Sequence, residues 1–154
     1  MNRNIFAILL PLALCACDNS DDTKDLTLPQ IEDAGANTAP ANCQTFARGE
    51  NINFKYLFTD NCELGNFNIE IHNNFDHHTH STSAEECDME PPKQPRNPWV
   101  YNQGFDIPRE SQSYSPEISI GIPDDIDTGD YHFMIRLTDR AGWQQIKSVA
   151  IKIE

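Results

Sequence analysis

Histidine is the residue type in which the chemistry of this chain is concentrated. The stretch Ile69-Glu70-Ile71-His72-Asn73-Asn74-Phe75-Asp76-His77-His78-Thr79-His80 holds four of the five histidines among 154 residues, and the fifth is His132. A neutral imidazole presents one coordinating nitrogen and is the commonest protein ligand for zinc, copper and nickel. A His-His-x-His run can turn two or three rings toward one point from a loop, while a histidine on a neighbouring strand supplies a rigidly held ligand. The expected metal ligands are therefore His72, His77, His78, His80 and His132, with zinc as the first choice of ion and copper as the alternative. Five rings exceed the four positions of tetrahedral zinc, so either one ring stands outside the ligand set or the geometry is not zinc's. Asp76 and Glu70 are the carboxylates placed to orient an imidazole from behind. A short His-rich tract can equally be a solvated polar loop. What decides between the two is whether His132 lies beside it.

The positions of these residues follow from alternation. Asn66 to His72 reads as a strand with Phe67, Ile69 and Ile71 inward, which turns Asn68, Glu70 and His72 outward. Asp130 to Asp139 has Phe133 and Ile135 inward and His132 outward. Further period-two runs are Ile52 to Phe58, Ile118 to Ile122, and Trp143 to Ile153 with Val149, Ile151 and Ile153 on one face. Leu26 to Ile31 reads as a short edge strand, with Pro29 tolerated only at an edge, and Cys43 to Phe46 as its resumption. Trp99 to Tyr101 begins a strand that Gly104 and Pro108 are expected to interrupt. Between Asn73 and Asn97 there is no periodicity, and Pro91, Pro92, Pro95 and Pro98 exclude regular structure.

These runs, about seven strands separated by Gly, Asp and Pro turns, predict an all-β, immunoglobulin-like β-sandwich. The long His-rich loop falls between its third and fourth strands. In such a sandwich the third strand pairs antiparallel with the sixth. That sets His72, at the end of one, beside His132, at the start of the other, on one outward face. The two residues are sixty apart in sequence, and the His-rich loop leaves from the same corner.

The chain as a whole bounds the reading. Its length suits one modest domain, expected over residues 26–154. A formal charge of −13 excludes an electrostatic grip on nucleic acid or on anionic lipid headgroups and favours cations. Residues 1–16 combine a basic start with a short apolar run, the pattern of an export signal and too short to span a membrane. Leu14-Cys15-Ala16-Cys17 resembles a bacterial lipobox, which implies cleavage before Cys17 and a lipid on its sulfur. Residues 17–25 then form an acidic tether, and Asp18-Asn19-Ser20-Asp21-Asp22 resembles signals that route some lipoproteins to the outer face of the outer membrane.

Cys43, Cys62 and Cys87 remain in an oxidising environment, so one disulfide and one cysteine left over are expected. Spacing does not choose among the three pairings. Cys43 with Cys87 is the one that would tether the His-rich loop to the first strand. A Cys87 thiolate acting as a metal ligand is the alternative.

His72-Asn73-Asn74-Phe75-Asp76-His77-His78-Thr79-His80, with Cys87, Gly129-Asp130-Tyr131-His132-Phe133 and Asp139-Arg140-Ala141-Gly142, resembles the bacterial lipoproteins catalogued as domain of unknown function 4625. The likeness runs from about Ile31 to Glu154. It implies a lipid-anchored, immunoglobulin-like fold and carries no established activity; Cys62 lies outside the family pattern.

The function expected from the residues is that of a surface lipoprotein binding a transition metal for capture or delivery, beside an outer-membrane importer. A second reading is an adhesion or carbohydrate-associated module, its metal only structural, with Trp99 and Tyr101 as an aromatic platform. No Ser-His-Asp arrangement, phosphate-cradling glycine loop or spaced acid pair points to an enzyme.

Overall fold

In the computed structural model of the protein, residues 24–79 and 87–154 are described. The expected export signal, the lipidation position Cys17, most of the tether and His80 lie outside the described residues.

Three of the alternating runs form the longest strands, β5 (Leu64–Asn73), β9 (Gly129–Asp139) and β10 (Gln144–Ile153). β9 lies between the other two, antiparallel to both. With the edge strands β2 (Gln44–Phe46) and β6 (Tyr101–Asp106) they form a five-stranded sheet in the order β2-β10-β9-β5-β6. The facing layer is built from β1 (Gln30–Asp33), β4 (Tyr56–Thr59) and β7 (Ser113–Tyr114), in the order β1-β4-β7, and from β3 (Asn51–Phe54) paired with β8 (Ile118–Gly121). The result is an all-β sandwich, its only helical turn among the described residues being a 3-10 turn at Gly35–Asn37.

The inward parity read from the alternation is the core. Phe67, Ile69 and Ile71 of β5, Phe133, Ile135 and Leu137 of β9, and Val149, Ile151 and Ile153 of β10 are all buried. The facing layer contributes Ile52, Phe54, Tyr56 and Phe58. The layers meet in an aromatic cluster, in which Phe54 stacks on Phe133 at 5.7 Å and on Phe67 at 6.1 Å, and Phe58 meets Phe67 edge-on at 5.0 Å. Such pairs add to the burial of their own area, which makes this cluster the centre of the fold.

Several expected elements differ in the structure. The single strand expected over Ile52 to Phe58 is two, because Lys55 exchanges backbone hydrogen bonds with Ala39 and the chain changes partner there, from β8 to β1 and β7. Inward parity continues unbroken through the change, so the residue pattern of one strand and of two is the same. Cys43 to Phe46 does not resume the first edge strand. β2 pairs parallel with β10 in the opposite sheet, while β1 starts only after Pro29. β6 passes through Gly104 without interruption, and the short β7 had no sequence signal. There are thus ten strands among the described residues instead of about seven, and the His-rich loop joins β5 to β6.

The described residues of that loop are irregular but firmly attached. Phe75 and Trp99 are 3% and 5% exposed. Lys93 places its ammonium 4.7 Å from the centre of the Phe75 ring and donates to the Thr128 carbonyl at 2.7 Å. Gly129, at φ +117°, sits against both, and a Cβ there would lie 2.9 Å from Lys93 Nζ and 3.1 Å from Phe75 Cε1. Asp127 accepts the backbone N–H groups of Arg96 and Asn97 at 2.6 and 2.8 Å, which hold its carboxyl below the usual range. Cys87 forms a disulfide with Cys43, Cα to Cα 5.5 Å, linking the loop to the start of β2. Cys62 is an exposed free thiol.

Two outcomes follow from this architecture. Phe133→Ala, which removes the ring at the meeting of the layers, is expected to cost about 3–5 kcal/mol in urea unfolding. Replacing Cys43 and Cys87 together by Ala is expected to lower the unfolding free energy by about 2–4 kcal/mol, since the closed loop is long.

Candidate metal centre

Core packing sets the first two imidazoles. Ile71 of β5 lies opposite Phe133 of β9 and both are fully buried, so the next pair in the ladder, His72 with His132, points to the other face of the sheet. The two ring centres are 5.4 Å apart, and both residues are half-buried.

The third ring arrives through the start of the loop. Asn74 continues the ladder by donating its N–H to the Asp130 carbonyl at 2.8 Å, and Phe75 turns into the core edge-on to Tyr131, 5.3 Å between centres. With those two residues fixed, the chain turns. His77 N–H reaches back to the Asn74 carbonyl at 3.2 Å, and His77 itself takes φ +58°, a left-handed conformation that histidine adopts more readily than most residues. The reversal lays His78 over the strand pair. Its ring is stacked on His72 at 5.5 Å and meets His132 at 5.0 Å. His72, His78 and His132 therefore converge.

One nitrogen of His78 and one of His132 is on an acceptor, and one of His72 lies near a carboxylate without a hydrogen bond to it. His78 Nδ1 is 2.5 Å from Asp76 Oδ1, and that bond holds the Asp76 carboxyl below its usual range. His72 Nδ1 is 3.3 Å from Glu70 Oε1, and His132 Nε2 is 3.1 Å from the His78 carbonyl oxygen. An N–H directed at an acceptor places the lone pair of a neutral imidazole on the opposite nitrogen. On His78 that leaves the lone pair on Nε2, and on His132 on Nδ1. The Nε2 atoms of His72 and His78 are 3.4 Å apart, long for a hydrogen bond between them. Two ligands on tetrahedral zinc at about 2.0–2.1 Å are separated by roughly 3.3–3.4 Å, so the spacing fits a shared ion.

The remaining expected ligands fare differently. His77 turns its Nε2 to the Glu90 carbonyl at 2.8 Å, a consequence of the same left-handed turn that delivers its neighbour. In this geometry it is a loop anchor, not a member of the converging set. His80 lies outside the described residues. Cys87 is not available as a thiolate, because its sulfur is bonded to Cys43. Asp76 and Glu70 both stand behind imidazoles. For Glu70 the signal in the sequence was the outward parity it shares with His72, two residues away. The His78 carbonyl that orients His132 has no sequence signal, since any residue carries one.

The aromatic platform of the adhesion reading is not present. Trp99 is buried, its backbone N–H accepted by the Tyr131 hydroxyl at 3.2 Å and its ring 6.2 Å from Tyr101 and 6.5 Å from Tyr131. It closes the loop onto the sheet.

No curated protein matches the sequence. The chain does match one family model, described as Domain of unknown function (DUF4625), over residues 15–154, nearly its whole length, and so belongs to that family.

Proposed function

We propose that this protein is an exported, lipid-anchored domain that binds a transition metal ion through His72, His78 and His132. Zinc is the ion favoured, with copper as the alternative. The observation that carries the reading is the approach of the Nε2 atoms of His72 and His78 to 3.4 Å, with the His132 ring 5.4 and 5.0 Å from theirs, centre to centre, and the opposite nitrogen of His78 bonded to Asp76. The 3.4 Å separation matches two imidazole nitrogens on one tetrahedral ion at about 2.0–2.1 Å. The carboxylate behind His78 raises its basicity as a ligand and fixes the ring for an ion. Three imidazoles leave one position of a tetrahedron for His80 or for water.

The lipid anchor is placed on Cys17 after removal of residues 1–16, with the acidic tether carrying the domain away from the membrane. A net charge of −13 suits an encounter with cations and not with nucleic acid. Capture or delivery of the ion beside an outer-membrane importer is the role proposed, since His78 and the Asp76 carboxylate behind it sit in a turn at the surface.

Elemental mass spectrometry on the purified chain, made without a His tag, tests the reading. About one equivalent of zinc or copper is expected, and loss of most of it in His72→Ala and in His132→Ala. Protein that takes up neither ion at micromolar concentrations sinks the proposal. Asp76→Asn, which keeps the shape but weakens the acceptor behind His78, is expected to lower affinity about 10- to 100-fold in a competition titration. Uptake is expected to fall as pH is lowered, because protons compete with the metal for the imidazole nitrogens.

A further inference from the structure

At the opposite end of the β5–β9 ladder from the histidines, three carboxylates meet. Asp25 belongs to the segment before β1, Asp60 to the turn between β4 and β5, and Asp139 to the end of β9. One oxygen from each lies within 4.8 Å of the others. Among the described residues no lysine or arginine forms an ion pair with any of them, and the adjacent Arg140 is directed to Glu63 at 3.4 Å.

An acidic cluster at a surface is ordinary; the burial here is not. Asp139 is 4% exposed. Its Oδ1 accepts the backbone N–H groups of Gly142 and Trp143 at 2.6 and 2.8 Å, closing the β9–β10 turn. Its Oδ2 is buried at the cluster and has no hydrogen-bond partner among the described residues. Asp60 repeats the pattern. Its Oδ2 accepts the Cys62 N–H at 2.8 Å, while its Oδ1 is buried without a partner. A buried carboxylate oxygen with nothing to bind is costly, and two of them beside a third carboxylate are more so. Asp25 is brought in by other bonds. Its Oδ1 accepts Thr27 N–H and Asn61 Nδ2, and its carbonyl accepts the Trp143 indole N–H at 2.8 Å.

The geometry points to a second cation site here, for a hard divalent ion and specifically calcium, held by Asp25, Asp60 and Asp139. The donors are all oxygen, which suits calcium and not a metal preferring nitrogen or sulfur. Calcium–oxygen distances of about 2.3–2.6 Å place any two ligands on one ion no more than roughly 5 Å apart, a limit the cluster meets. Carbonyls and water would complete the coordination. The site staples the segment before β1 to the end of the sandwich. It stands roughly 25 Å along β5 from His72, so the two sites are separate.

The test uses the full chain, stripped with EGTA and titrated with calcium chloride or, as a control, magnesium chloride, following Tm and the emission of Trp143. Zinc and copper content is measured on the same samples. Calcium is expected to raise Tm by about 3–6 °C at ten times Kd and to shift the emission, with a midpoint of about 0.1–1 mM, and magnesium to act more weakly. Asp25→Asn and Asp60→Asn, both at half-buried positions, are expected to weaken the response more than threefold without changing transition-metal content. If one of them fails to fold, the other decides. No response to about 5 mM calcium, or a response weakened less than threefold in a folded variant, overturns the site. Neither outcome bears on the histidine centre, and loss of zinc in its own mutants does not bear on this one.

Discussion

The register between β5 and β9 is the constraint on which both ends of this molecule depend. Ile69 with Ile135 and Ile71 with Phe133 are fully buried pairs on the core face. A slip of one residue would exchange every inward side chain for an outward one, exposing those apolar side chains and burying Glu70 and Arg136. The cost of such an exchange locks the pairing. His72 beside His132 on the outer face is then a consequence of packing on the inner face, and needs no attraction between the histidines themselves.

A strand pair supplies two imidazoles, but a metal centre needs a third from elsewhere, and flexible loops bring ligands together only at an entropic cost. Here the cost is met in folding. Asn74 extends the ladder, Phe75 is driven into the core against Tyr131, and Lys93 covers Phe75 from outside. The His77 reversal leaves little choice of direction for His78, and the bond from His77 to Glu90 ties the outgoing and returning arms of the loop together. Further along, Asp127, Trp99 and the Cys43–Cys87 disulfide close the remaining slack. The loop is irregular because of its prolines, yet its first turn is organised as closely as the strands that it leaves.

The ladder also separates two kinds of polar chemistry. At the His72 end the donors are imidazole nitrogens backed by carboxylates, the pattern that suits a transition metal. At the Asp139 end the donors are carboxylate oxygens held by backbone N–H groups, the pattern of a hard cation. The eleven-residue strand β9 therefore carries a member of each of two unlike polar clusters, His132 near one end and Asp139 at the other, over a common hydrophobic face.

The amino-acid sequence by itself determined the parity of each strand and hence the core. It determined too that His72 and His132 share the outer face, because alternation and the antiparallel pairing of the third and sixth strands leave only one arrangement. Partner choice was not legible. The run from Ile52 to Phe58 keeps one parity whether or not Lys55 exchanges sheets, and β2 has the same residues whichever sheet it joins. Nor was the selection among the clustered histidines. Which of His77 and His78 turns toward the strands depends on a single left-handed residue and on where Phe75 is buried, and both adjoining histidines look alike in sequence. Asp139 read only as the end of a strand, because its approach to Asp25 and Asp60 joins segments 114 and 79 positions away. Tertiary structure decided these matters for one physical reason: they turn on contacts between distant segments, whereas parity is a property of neighbouring residues alone.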